Sequence, residues 1–179
     1  MGPLAACIGS QTRERFEEEI HARGGGLSQG LAVEAVDAVE DELHVDGLRL
    51  RSLNVSPGRV TMEIQVPGSV EDLDSYRFGT SGMYGGGGLS DPEPVARSFD
   101  EASLEGQVFT LAAAGIDHFD ATVDAAVLEA DLPGGYATSA TVVRLPGQLD
   151  PQTSVVVTNV RRTVTVLFDA DGTVLEVQR

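Results

Sequence analysis

Lysine is absent from this 179-residue chain, and all 12 basic residues are arginine. The absence excludes a P-loop lysine and Schiff-base chemistry, including that of pyridoxal phosphate. A GC-rich coding genome accounts for it, and a halophilic source is the alternative. The 28 acidic residues give a net charge of −16, so clustered basic side chains for phosphate backbones or anionic membrane surfaces are not expected. We therefore expect neither a nucleic-acid nor a membrane partner.

Tryptophan is also absent, and Cys7 is the single cysteine. An intrachain disulfide and a thiolate zinc site are thereby excluded. The three histidines lack the spacing of a zinc site, so we expect no metal and no cofactor. No apolar run approaches the roughly 18 residues of a membrane-spanning helix, and we predict a cytoplasmic protein.

After one clear helix signal, a two-residue alternation dominates the chain. The helix is predicted at residues 10–23, where Ser10 can cap it and three glycines follow. Residues 31–43 are ambiguous, since their valines recur at helical spacing although valine favours strands, and we favour a strand. Between residues 43 and 66, apolar and polar residues alternate around Pro57–Gly58, which predicts an antiparallel hairpin with one face in water.

Two further blocks continue this alternation. From Phe119 to Val127 apolar residues alternate with polar ones, and Pro133 starts a turn into another strand. The segments 45–67 and 123–146 share Val-Asp and Pro-Gly pairs, which indicates either a repeated β-unit or coincidence. Residues 155–177 predict a last hairpin whose turn is Asp169–Gly172.

The count of seven to nine strands predicts a mainly β single domain over residues 1–179. We expect an antiparallel β-barrel of about eight strands with an N-terminal helix, because closure removes exposed strand edges. A β-sandwich or an α+β fold is the alternative.

A long Gly-rich loop is predicted at residues 68–103, between the two β-blocks. Such loops in compact domains are binding loops, lids or disordered segments. We expect it to gate a ligand site, with a simple surface loop as the alternative.

Candidate catalytic residues are few. His118 with Asp120, or Tyr84, could serve as acid and base, since a carboxylate beside a histidine raises its pKa. A surface histidine among solvated acids is the ordinary explanation. Whether the protein is an enzyme stays open, and we favour that it is not.

Candidate ligand-binding residues are aromatic or arginine side chains. The arginines, Arg49 and Arg51, could anchor a ligand carboxylate, although ion pairs are their default role. The aromatic candidates are Tyr76, Phe78, Tyr84, Phe99 and Phe109.

The two β-blocks, the missing lysine and the Gly-rich middle resemble small β-barrel accessory proteins of actinobacterial enediyne clusters of the dynemicin type. The resemblance implies a barrel, often paired, around a long apolar ligand. We therefore expect a non-enzymatic binding protein for a hydrophobic small molecule, fatty-acid-like or a polyene or polyketide intermediate, in natural-product biosynthesis. The alternative is an acid–base cyclase or isomerase acting on a polyketide in the same cavity.

A homodimer is expected as well, because pairing covers strand edges and apolar patches. The C-terminal hairpin, with Val155, Val157, Val164 and Val166, is the predicted contributor.

Overall fold

One antiparallel sheet with two helices on one face is formed by residues 27, 30–80, 87–97 and 103–179, the part of the chain that this computed structural model describes. The helices are α1 (Leu31–Leu43) and α2 (Phe119–Ala130). The strands are β1 (Arg49–Ser56), β2 (Arg59–Gln65), β3 (Leu73–Gly79), β4 (Gly88–Leu89), β5 (Glu93–Pro94), β6 (Phe109–Thr110), β7 (Tyr136–Val143), β8 (Gln152–Thr158), β9 (Thr163–Phe168) and β10 (Val174–Gln178). The predicted helix at 10–23 lies outside the described residues, as does Cys7.

The strand order is β10-β9-β8-β7-β1-β2-β3-β4, with β5 paired to β3 and β6 to β1. The predicted mainly β antiparallel class is confirmed. Within the described residues the sheet is not closed into a barrel, since β10 and β4 stand at opposite ends of this order, and the α+β alternative fits better. The two helices cover the apolar face of this open sheet, a task that the interior of a barrel would otherwise perform.

The core lies between that face and the helices. Buried residues alternate along the central strands, as at Leu53 and Val55 on β1. Helix α2 covers β7, β8 and β9, while α1 covers β2, β3 and β4. The four valines predicted to form a dimer surface, Val155, Val157, Val164 and Val166, are at most 3% exposed, because they form the floor beneath α2.

Both helices lie where the sequence predicted strands. In α1 the buried residues recur at helical spacing from Leu31 to Val39, and this pattern outweighs the low helix propensity of valine. In α2 the buried residues are Phe119, Thr122, Ala126 and Ala130, again a helical stripe. The alternation from Phe119 to Val127 was misleading because alanine, the best helix former, stood at two of its five apolar positions.

A strand also occupies part of the predicted long loop. Residues 73–79 form β3, which pairs with β2 along its whole length, from Gln65 opposite Leu73 to Arg59 opposite Gly79. The sequence signal is short because Asp74, opposite the buried Ile64, interrupts the apolar alternation that Tyr76 and Phe78 form on the core side. The predicted hairpins β1–β2 and β8–β9–β10 are confirmed.

The chain contains an internal repeat, α1-β1-β2-β3 and α2-β7-β8-β9. Each helix ends at a residue in left-handed conformation, His44 or Asp131, and a glycine of positive φ follows three positions later, Gly47 or Gly134. Two positions further on, β1 or β7 begins.

The two units face each other across an approximate twofold axis. The strands β1 and β7 each carry a register shift near their start and pair antiparallel. Asn54 lies opposite Thr141, 87 residues away in sequence, and that separation equals the offset between the equivalent residues His44 and Asp131. Its amide donates to the threonine hydroxyl at 2.8 Å. The structure therefore shows two equivalent units 87 residues apart, whereas the Val-Asp and Pro-Gly pairs shared by segments 45–67 and 123–146 are 76–79 residues apart and do not occupy equivalent positions.

Candidate functional site

A groove runs along one end of the sheet, beside the turn between β2 and β3. Its main part encloses about 880 Å³, and an adjoining part of about 350 Å³ shares Val66, Val70 and Glu105 with it. The main part is lined by Val66, Val70, Glu71, Asp72, Leu73, Asp74, Pro94, Val95, Arg97, Ser103, Leu104 and Glu105.

The floor of the groove is a small hydrophobic cluster separate from the main core. Leu73 of β3, Leu104 and Val108 are at most 2% exposed, and Val95 packs against them half-buried. The backbone N–H of Val95 donates to the carbonyl of Leu73 at 2.9 Å, which fixes one wall against the sheet. The floor is therefore anchored by backbone hydrogen bonding as well as packing.

The other wall is the turn from Val66 to Asp72. Its backbone closes with Val66 N–H donating to Asp72 O at 3.0 Å, and Gly68 supplies the positive φ of 81° that the turn requires. The Ser69 hydroxyl donates to the Asp72 carboxylate at 2.8 Å and accepts from the Asp72 N–H at 3.0 Å. This bracing holds Val70, 78% exposed, on the groove wall.

The rim carries more negative than positive charge. Glu71, Asp72 and Asp74 lie along it together with Arg97, whose guanidinium donates to the Glu71 backbone carbonyl at 3.2 Å. Glu105 is neutralised by Arg49.

Those two side chains form a bidentate ion pair at the rim, with both nitrogen–oxygen distances at 3.0 Å. The hydrogen bonds from Arg49 hold the pKa of Glu105 below its ordinary value. The rim thus favours a neutral or cationic ligand over an anionic one.

The predicted catalytic pair does not lie in this groove. His118 is exposed, and its Nε2 donates to the backbone carbonyl of Ala170 at 3.2 Å, which ties the start of α2 to the β9–β10 turn. The Asp120 carboxylate accepts the N–H of Gly30 at 2.8 Å, at the start of α1. Both groups thus make structural contacts. Tyr84 lies outside the described residues.

The predicted aromatic ligand contacts belong to the main core. Tyr76 and Phe109 are at most 3% exposed, and Phe78 packs half-buried against the same cluster. Burial, with the carboxylates of Asp74 and Glu42, raises the pKa of Tyr76 and keeps its phenol neutral. Phe99 lies outside the described residues.

The two predicted arginines are held in ion pairs. Arg49 pairs with Glu105, as described, and Arg51 donates through Nε to the Glu63 carboxylate at 2.8 Å. Of the predicted ligand residues that the structure describes, Arg49 alone lines the groove, in its smaller part. Val70 and Leu104 were missed, and the one available signal in the sequence was a valine two positions after the Pro67–Gly68 turn.

No protein-family model, curated protein or solved structure matches this chain. Among the described residues, no three His, Cys, Asp or Glu side chains are grouped to hold a metal ion. In that same part of the chain, neither helix has the length and apolar character to cross a membrane.

Proposed function

We propose that the chain is a non-enzymatic binding protein for a hydrophobic small molecule, held in the groove beside the β2–β3 turn. The observation that carries the proposal is the apolar floor and wall of that groove, formed by Leu73, Leu104, Val95 and Val70. Ligand sites are typically concave and mostly apolar, with a few polar groups that fix orientation. This groove is concave with an apolar floor, and six of its twelve lining residues are apolar while the other six are polar or charged.

The dimensions suit a drug-sized or chain-like molecule. Ligand pockets commonly enclose about 300–1,000 Å³. The main part has about 880 Å³, and its continuation past Val66 and Val70 gives the site an elongated outline. An extended apolar chain fits such an outline better than a compact ligand does.

Charge narrows the class of ligand further. The excess of carboxylates at Glu71, Asp72 and Asp74 opposes a free carboxylate on the ligand. A polyene or polyketide intermediate without an acid group, as the resemblance to enediyne accessory proteins suggests, is thus favoured over a fatty acid. We also propose a cytoplasmic location.

The acid–base enzyme alternative receives no support from the geometry of the described residues. His118 and Asp120 are engaged with backbone groups and stand outside the groove lining. A cyclase or isomerase needs its base within hydrogen-bond reach of the bound substrate.

A matched pair of exposed valines tests the proposal. Val70 is 78% exposed on the groove wall, and Val160 is 92% exposed in the β8–β9 turn. Neither side chain supports the fold, so Val70→Asp and Val160→Asp should both fold normally. Covering a valine with ligand contributes up to about 1.5–3 kcal/mol, so Val70→Asp should weaken binding by about tenfold.

Binding is measured by the fluorescence of Nile red, an uncharged apolar dye, titrated with each purified variant. Native mass spectrometry and organic extraction of the wild-type protein should in addition show a co-purified apolar molecule. We expect Val160→Asp to bind like the wild type. A wild-type protein that binds no dye and carries no ligand, or equal affinity in the two variants, would overturn the proposal.

A further inference from the structure

The sheet face opposite the helices is uncharged in its central part. The three strands β7, β8 and β9, together 21 residues, contain no Asp, Glu, Lys or Arg, whereas 22% of the whole chain is charged. On this face Asn54 of β1 is exposed, and its neighbours are half-buried. We call this surface the neutral face; its central residues are Asn54, Thr141, Val143, Ser154, Val156 and Leu167.

The strand register shows that these side chains are neighbours on one surface. Asn54 lies opposite Thr141, Thr141 opposite Ser154, and Ser154 opposite Leu167, so one row crosses four strands. Directly opposed residues of paired strands point to the same side of a sheet. Both described helices cover the other side.

We infer that the neutral face is the interface through which two copies of this chain form a homodimer. Depletion of charge marks the centre of protein interfaces. Each copy carries a net charge of −16, so the repulsion between two copies is weakest when surfaces without charged side chains meet. A basic partner would select the acidic surfaces instead, and for this reason the charge pattern favours a second copy.

The size of the face suits a weak dimer. Four strands spaced about 4.8 Å apart, from β9 to β1, and about 24 Å long give a projected area of roughly 450 Å². The Arg51–Glu63 ion pair, at the border of β1 and β2, marks the edge of the neutral face. Standard interfaces bury about 800 Å² per partner, and the accessible area of a pleated surface exceeds its projection. Valine, leucine and threonine methyl groups supply the apolar contact, as in two sheets packed face to face.

The inference does not depend on the groove, and its test is separate. Sedimentation velocity at 5–100 µM protein should give a species of twice the 18.8 kDa chain mass. Because the interface is neutral and the remainder repels, raising NaCl from 50 to 500 mM should tighten the dimer by about fivefold or more. An interface built on ion pairs would weaken instead.

Two variants place a carboxylate in the neutral face, Val156→Glu and Asn54→Glu. Burying an unpaired charge should raise the dimer dissociation constant at least about tenfold for each. Asn54 is exposed in the single chain, so Asn54→Glu should keep the fold even if Val156→Glu unfolds the protein. Circular dichroism shows whether each variant is folded. Val33→Glu on the outer side of α1, where Val33 is 39% exposed, is the control and should remain dimeric.

Three results would overturn the inference. The wild type could remain monomeric at 100 µM in 500 mM NaCl, its dimer could dissociate as salt rises, or Asn54→Glu could dimerise as tightly as Val33→Glu. Val70→Asp should leave the dimer unchanged, so that loss of dye binding and loss of dimerisation are read independently.

Discussion

His44 and Asp131 end the two helices in a conformation that suits glycine. Their φ angles are 53° and 48°, within the left-handed region, and both side chains are exposed. A side chain at such a position crowds the following carbonyl at a cost of about 1–2 kcal/mol, which glycine avoids. Glycine loses more conformational entropy on folding, by about 0.5–1 kcal/mol, so the net gain is smaller than the strain alone.

We therefore expect His44→Gly to raise the free energy of unfolding by about 0.5–1 kcal/mol. Asp131→Gly should raise it by about 1–1.5 kcal/mol, because it also removes a negative charge from the negative end of the α2 dipole. In a domain of this size each 1 kcal/mol corresponds to a shift of the melting temperature by about 2–4 °C.

Urea denaturation followed by circular dichroism gives the comparison, with Ala38→Gly in the interior of α1 as control. A glycine at position 38 should lower the free energy of unfolding by about 1 kcal/mol, because alanine is the better helix former. Opposite signs at the cap and in the interior are the expected result. If His44→Gly and Asp131→Gly destabilise as Ala38→Gly does, the reasoning from left-handed strain is refuted.

Two more predictions concern β1 and its partner strand. Hydrogen bonding from Arg51 lowers the pKa of Glu63, so the stabilisation it confers is present above the unfolded-state pKa and is lost as the pH falls through the folded-state value. Glu63→Gln should cost about 0.5–1.5 kcal/mol at pH 7, and urea denaturation at pH 3 should show a smaller difference; an undiminished difference would contradict the linkage. Leu53→Ala, at a position with no exposure, should cost about 2–5 kcal/mol in the same assay, whereas Leu149→Ala, at 87% exposure, should cost little; equal costs would contradict the assigned core.

The hairpins were predictable because two independent signals agreed there. Alternation from Val60 to Ile64 gives a half-buried strand, and Pro57–Gly58 gives its turn. Each signal reflects local chemistry, so neighbouring residues suffice to read it. The register of β1 against β2 follows from that turn.

The helices were mispredicted because local signals conflicted. The sequence of α2 contains both an apolar alternation, which predicts a strand, and an apolar stripe at helical spacing, which predicts a helix. The helical stripe is favoured because it packs on β7, β8 and β9. Tertiary packing decides between two such patterns, and one sequence window does not contain it.

The groove was not predictable for a related reason. Val70 lies in the connection from β2 to β3, whereas Val95 and Leu104 lie in the connection from β5 to β6, and the pairing of β3 with β2 and β5 brings the two connections together. The aromatic residues proposed as ligand contacts were instead needed in the core of a chain without tryptophan, as Tyr76 and Phe109 show.

The pairing of β1 with β7 has a consequence for the rate of folding. Among the described strands longer than two residues, every other pairing joins neighbours in the chain, so each meander forms from contacts of short sequence separation. The Asn54–Thr141 contact instead closes a loop of 87 residues, whose entropy must be overcome before the contact stabilises anything. We expect the two meanders to form early and their union along β1 and β7 to limit the folding rate.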